Sequence, residues 1–296
     1  MQRSLRCLSA LALLCGATLT LPAHASPIVF SGSGVAATTQ FNAFRAAVGG
    51  GSRIAWDGVR LDGTDVNPAT RVIDPGKTVE IPVDRFRGVG AIYAAPYAVS
   101  GDGFSSVNPG SAGEFPAFSP ANTFAMFDTR PGQFDDRFIG QSFVLPGTNT
   151  VAGTRGFGAI FADVELAGTS AIEYFGQTAN GGRISLGKFD VPIGQSGEHQ
   201  FLGVLFDQAI VAEVLLTVGT HALFSLSGNT IQSFGAEDLG RGIDLAVTDD
   251  FVFATPTALR TVPIPSTLWL AALPALFLLR HARRQDRPRG DAGGAG

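Results

Sequence analysis

The chain has 296 residues, with 23 Phe against 3 Tyr and 2 Trp and a formal net charge of −4. Basic residues crowd at the two ends: between Ser26 and Thr261, 14 Lys and Arg face 23 Asp and Glu, a net charge of −9 without any run of like charge. A body this acidic is a poor nucleic-acid binder. Both cysteines, Cys7 and Cys15, lie in the N-terminal leader, so the exported part has no disulfide framework and no thiolate zinc site and depends on buried apolar area.

Arg3 and Arg6 precede an apolar stretch, Leu8 to Leu21, and Ala23-His24-Ala25 satisfies the small-x-small cleavage rule. Residues 1–25 therefore read as a signal peptide removed by signal peptidase before Ser26. A lipoprotein cut before Cys15 is the poorer alternative, because Leu13 and Leu14 stand where small residues are wanted.

The exported domain, 26–254, opens with one short helix. Thr38 or Thr39 caps it, Phe41, Phe44 and Val48 recur at helical spacing, and Gly49-Gly50-Gly51 ends it. Ile54 to Gly58 then reads as a strand entering a turn, with Trp56 packing behind the helix rather than on a sugar ring. Turn signals follow at short intervals: Asp62-Gly63, Asp74-Pro75-Gly76, Asn108-Pro109-Gly110, Arg130-Pro131-Gly132, Pro146-Gly147 and Asn180-Gly181-Gly182. Tyr93 and Tyr97, flanking Pro96, are the candidate exposed aromatics.

The second half carries the clearest strands: 155–166, 171–175, 183–191, 199–206, 210–218 and 243–253. In 210–218, Ile210, Ala212, Val214, Leu216 and Val218 share one face at period two, as in a half-buried antiparallel strand. In 183–191 the apolar phase switches after Gly187, which predicts a bulge. Gly219 to Gly242 reads as a long loop or irregular edge. The whole predicts an all-β fold: an antiparallel β-sandwich, jelly-roll-like, with one short N-terminal helix.

Candidate sites are few. Parity places Asp249 on one face with Ile243, Leu245, Val247, Phe251 and Phe253, and an ionised carboxylate there must be paired, hydrogen-bonded or metal-bound. Asp249 and Asp250 are thus the candidate metal ligands, with Ca2+ as the cation; a local bulge, or an Asp accepting backbone N–H bonds, is the competing reading. Asp57, Asp62 and Asp65, and likewise Asp128, Asp135 and Asp136, read as turn formers first and cation ligands second. His199 and His221 are too few for a histidine metal centre, no G-x-S-x-G elbow is complete, and the Gly-x-Gly pairs lack a third glycine. No catalytic residue is assigned.

After a linker, 255–261, the tail reads Val262-Pro263-Ile264-Pro265-Ser266, then an apolar stretch to Leu279, then Arg280, Arg283 and Arg284. Leu268 to Leu279 is 12 residues, about 18 Å of helix. Even from Ile264 to Leu279 the helix is about 24 Å long, short of a hydrocarbon core of about 30 Å, and Pro274 removes a donor near its middle. Such a segment spans at a cost, and the arginines keep the end of the chain, with a disordered tail 285–296, in the cytoplasm. A plain membrane anchor would look the same by length alone.

The combination resembles the PEP-CTERM class of exported proteins. Val262, Pro263, Pro265 and Ser266 match its motif, while Ile264 stands where the name-giving motif has Glu. The strand order 156–164, 201–206 and 248–253, and the helix-to-Trp56-Asp57-Gly58 stretch, are similar to the bodies of such proteins. The resemblance implies a sorting signal over 262–284, read by an exosortase-type membrane enzyme at the inner membrane. It implies an envelope or extracellular-matrix protein without enzymatic activity. The alternatives are a carbohydrate-binding module on exopolysaccharide, with structural calcium, and a secreted hydrolase.

Overall fold

The computed structural model describes residues 26–64 and 70–262. The leader 1–25, Asp65, and everything from Pro263 on, including the apolar stretch and the arginines, lie outside the described residues.

One helix, α1 (Val35–Ala47), accompanies the strands β1 (Ile28–Ser33), β2 (Ser52–Ile54), β3 (Arg71–Asp74), β4 (Thr78–Ile81), β5 (Ala91–Tyr93), β6 (Tyr97–Ser100), β7 (Thr123–Ala125), β8 (Phe138–Phe143) and β9 (Ala152–Gly153). The second half adds β10 (Gly156–Ala162), β11 (Ala171–Gln177), β12 (Arg183–Asp190), β13 (His199–Leu205), β14 (Glu213–Thr217), β15 (Phe224–Ser227), β16 (Thr230–Ser233), β17 (Val247–Phe253) and β18 (Thr257–Ala258). A nine-stranded sheet runs β1-β13-β10-β17-β7-β6-β4-β3, with β2 also paired to β17; a five-stranded sheet runs β12-β11-β14-β8-β5. The pairings in both sheets are antiparallel.

The two sheets share one core. Phe157, Phe161, Phe251 and Phe253 from the large sheet meet Ile139, Phe143, Ile172, Tyr174, Val214 and Leu216 from the small one. Helix α1 covers the far side of the large sheet, where Phe41 and Phe44 pack against Ile160, Phe201 and Val252. Directly opposed glycines make room for it. Gly158 faces Gly203 across β10 and β13, and a Cβ on either would stand 2.8 Å from the Phe201 ring. The Gly-x-Gly of β10 is therefore a packing device. A third cluster forms where β15 and β16 fold over the large sheet, with Phe224 stacked on Phe127 at 5.4 Å.

Several expectations shift. The helix begins at Val35, with Gly34 at its N-cap and no side-chain cap; Thr39 Oγ1 donates back to the Val35 carbonyl instead. Strand β1 enters directly, since Gly34 N–H donates to His199 O at 2.9 Å, and this tertiary pairing sets the helix start. The stretch 219–242 contains the β15–β16 hairpin, turning at Gly228-Asn229. Tyr93 and Tyr97 are core residues, 3% and 0% exposed, because their rings pack on Trp56 and Phe124. The stretch 255–261 is tied down rather than free: β18 pairs with β9, and Arg260 N–H donates to Ala209 O at 3.0 Å. The bulge near Gly187 is present, with Leu186 as the extra residue between the partners of Tyr174 and Phe175.

Among the described residues, no helix is long and apolar enough to cross a membrane.

Trp56 is 1% exposed and stacks on Phe124 at 3.8 Å. Trp56→Ala is expected to lower unfolding free energy by about 3–5 kcal/mol, a large-to-small core loss. Phe138→Ala, at a side chain 41% exposed, should stay within about 0.5 kcal/mol. Urea unfolding of both variants checks the contrast.

Candidate metal centre

Asp249 and Asp250 sit in a bulge of β17. Ala159 faces Phe251 and Phe161 faces Thr248, so three steps on β17 oppose two on β10. The extra residue reverses the face pattern: Val247 and Leu245 belong to the cluster under the hairpin, whereas Phe251 and Phe253 point into the core between the sheets. Single-face parity over 243–253 is corrected accordingly. On the other edge of β17, Thr248 pairs with β7 and Phe251 with β2. The two aspartates fill the break between those partners.

Their oxygens are all used. Asp249 Oδ2 accepts from Phe118 N at 2.6 Å and Ser119 N at 3.2 Å, and Oδ1 accepts from Asp250 N at 2.8 Å. Asp250 Oδ2 pairs with the Arg53 guanidinium, and Oδ1 lies 3.2 Å from Ser119 Oγ. Asp57 is 3.1 Å from the same hydroxyl and accepts from Asn122 N at 3.2 Å. This cluster binds the loop 116–122 to β17; a cation there would have to displace N–H donors and an arginine. Burial, and next the charge of Asp250, push Asp249 up to about 8, against the pull of its N–H donors.

The other sequence candidates also have local partners. Asp62 accepts from Thr64 N at 2.9 Å, closing a turn. Asp128, 1% exposed, takes a two-pronged contact from Arg130, Nε at 3.0 Å and Nη2 at 2.6 Å, in a turn that crosses from β7 in the large sheet to β8 in the small one rather than joining a hairpin. His199 Nε2 lies 2.9 Å from Pro116 O, and His221 stacks on Phe234 at 4.6 Å.

A second carboxylate cluster is not visible in the sequence. Glu114 follows a short 3-10 turn (Pro109–Ser111), Asp163 and Glu165 follow β10, and Glu237 and Asp244 lie between β16 and β17. One oxygen each of Glu114, Asp163 and Glu237 lie within 4.8 Å of one another, and so do oxygens of Glu165, Glu237 and Asp244. Asp163 is fully buried at φ 71°; its Oδ1 accepts from Gly197 N at 2.5 Å, and its Oδ2 has no hydrogen-bond partner. Both Glu165 oxygens and Glu114 Oε2 are likewise buried and unpartnered. Asp244 is anchored: Oδ2 accepts from Leu166 N at 3.1 Å and Thr169 Oγ1 at 2.5 Å.

Burial, followed by the Asp163 charge, pushes Glu165 up to about 8 and Glu237 up to about 7. Burial raises Asp163 as well, and Glu114 follows for the same reason with Asp163 adding to it. The only local hint is Asp163-Val164-Glu165, two acids two residues apart just beyond a strand. The other three come together only through the fold.

Comparison with protein-family models, with curated proteins and with solved structures finds no match for this chain.

The folded protein holds the Asp249 proton up to about pH 8, whereas the unfolded chain releases it near pH 4. The unfolded chain thus binds fewer protons across that window, and stability falls as pH rises through it. Asp249→Asn should reduce the loss of melting temperature between about pH 6 and pH 9 in chelator. It should not abolish that loss, because Glu165 and Glu237 titrate in the same range. An unchanged slope in thermal melts across pH would contradict the assignment.

Proposed function

We propose that this chain is an exported, non-enzymatic envelope or extracellular-matrix protein. Its jelly-roll-like sandwich is held provisionally at the inner membrane by the segment 264–279. An exosortase-type enzyme sorts it through Val262, Pro263, Ile264, Pro265 and Ser266. The observation that carries the reading is the three-part tail: a proline motif, an apolar stretch too short to span comfortably, and Arg280, Arg283 and Arg284 behind it.

The end of the folded body supports it. Val262 N–H donates to Gln177 O at 2.8 Å, and its backbone bridges Thr178 in parallel beside the five-stranded sheet. Its side chain packs against the core between the sheets. The first residue of the motif is therefore tied to the folded domain, and in the sequence the motif's prolines follow it without a spacer. A sorting enzyme in the membrane would meet the motif at the edge of the folded domain.

The carbohydrate-binding alternative has less behind it. Trp56, Tyr93, Tyr97 and Tyr174 are all core residues, so among the described residues the large polar-tipped rings that would stack on sugars are spent on packing. A hydrolase would need two carboxylates facing each other across an open cleft. The carboxylates with raised pKa stand instead at buried or half-buried positions, Glu165 and Glu237 beside Asp163 and Asp249 within β17.

Replacing Pro263 and Pro265 together by Ala should leave the domain folded and exported but block sorting. Full-length protein then accumulates in the inner-membrane fraction, measured by fractionation and immunoblot. Unchanged processing and release would overturn the recognition claim.

A further inference from the structure

We propose that Glu114, Asp163, Glu165, Glu237 and Asp244 form a calcium site that clamps the segment between β16 and β17 onto the end of β10. The five carboxylates form two triads that share Glu237, and they come from three separate stretches of chain. Like charges gathered this closely repel, and a cluster of acids alone would not establish a ligand. The deciding feature is Asp163. It is 0% exposed, its backbone adopts a left-handed conformation, one of its oxygens lies within 4.8 Å of oxygens of Glu114 and Glu237, and its Oδ2 is buried without a hydrogen-bond partner. A buried carboxylate oxygen without a partner is expensive unless a proton or cation completes it. Glu165 adds two further buried, unpartnered oxygens to the same place.

The donor set selects the ion. All the ligands are carboxylate oxygens, with no histidine or thiol, which suits a hard cation. Calcium takes six to eight oxygens at about 2.3–2.6 Å, so ligands on opposite sides of one ion stand about 4.6–5.2 Å apart. The mutual limit of 4.8 Å in each triad fits around such an ion. Magnesium keeps most of its water and uses only one or two carboxylates, and so makes poorer use of this set.

Thr169 Oγ1 and Leu166 N orient Asp244, and Gly197 N orients Asp163. With Glu237 and Asp244 on the segment leading into β17 and Glu114 on a loop, the ion would cross-link irregular chain that no disulfide can tie. This site is distinct from Asp249 and Asp250, whose oxygens already have donors.

The test uses the full chain, purified in detergent and stripped with chelator, titrated with CaCl2 by calorimetry and melted with and without millimolar Ca2+. The expected result is saturable binding and a rise in melting temperature of several degrees. Glu165→Gln and Glu237→Gln, both at partly exposed positions and the least apt to unfold the chain, should each weaken Ca2+ binding by at least about tenfold. Asp238→Asn, an exposed acid beside the cluster, should leave it unchanged. No binding at millimolar Ca2+, binding that survives both glutamate variants, or tighter binding of Mg2+ than of Ca2+ would each overturn the proposal.

Discussion

Strand β17 belongs to three apolar clusters at once: Val247 under the β15–β16 hairpin, Phe251 and Phe253 between the sheets, and Val252 beneath helix α1. Its neighbour β10 does the same through Ala162, Phe157 and Ile160. With no cysteine after Cys15, these two strands, buried on both faces, are what joins the layers. Burying each Phe there contributes roughly 1.5–3 kcal/mol. The bulge at Asp249-Asp250 lets one strand serve different cores at its two ends, because it turns Val247 and Phe251 to opposite faces. The two aspartates replace missing strand partners, holding the loop 116–122 in the break between β2 and β7.

Two groups of buried carboxylates therefore behave differently. Around Asp249 and Asp250 the chain supplies amides, a hydroxyl and the Arg53 guanidinium, so every oxygen has a donor, although burial still outweighs those bonds and raises Asp249. Around Asp163 it supplies mostly other acids, and several oxygens stay without donors. A folded protein tolerates the second arrangement only by holding protons or by binding a cation. The first group reads as architecture and the second as a place for a ligand.

Much of the fold was legible in the sequence. Short strands between Gly and Pro turns marked an all-β chain, and the Gly187 phase switch marked a bulge that is present. The run Gly49-Gly50-Gly51 closes the helix as its residues require, with Gly51 leaving no room for a Cβ beside Phe253 O. Other features depended on distant partners. Strand β1 is weak alone and exists through its register with β13, and that pairing moved the helix start from Thr38 or Thr39 to Val35. Gly228-Asn229 is a two-residue hairpin signal that the surrounding Ser and Gly obscured. Period-two reasoning over 243–253 failed because one inserted residue flips every side chain beyond it. The acid cluster spans Glu114 to Asp244, so only tertiary folding shows it.

The account rests on the ends of the chain as much as on its middle. The last described residue, Val262, is hydrogen-bonded to Gln177, and in the sequence a proline motif and a brief apolar stretch follow it; the proposed sorting rests on that order. The most direct measurement is the intact mass of the protein recovered from the envelope and from the medium of its native cell. The account predicts a mature chain that begins at Ser26 and has lost the arginine-bearing end. A cytosolic chain of 296 residues, or a membrane form that keeps that end permanently, would contradict it.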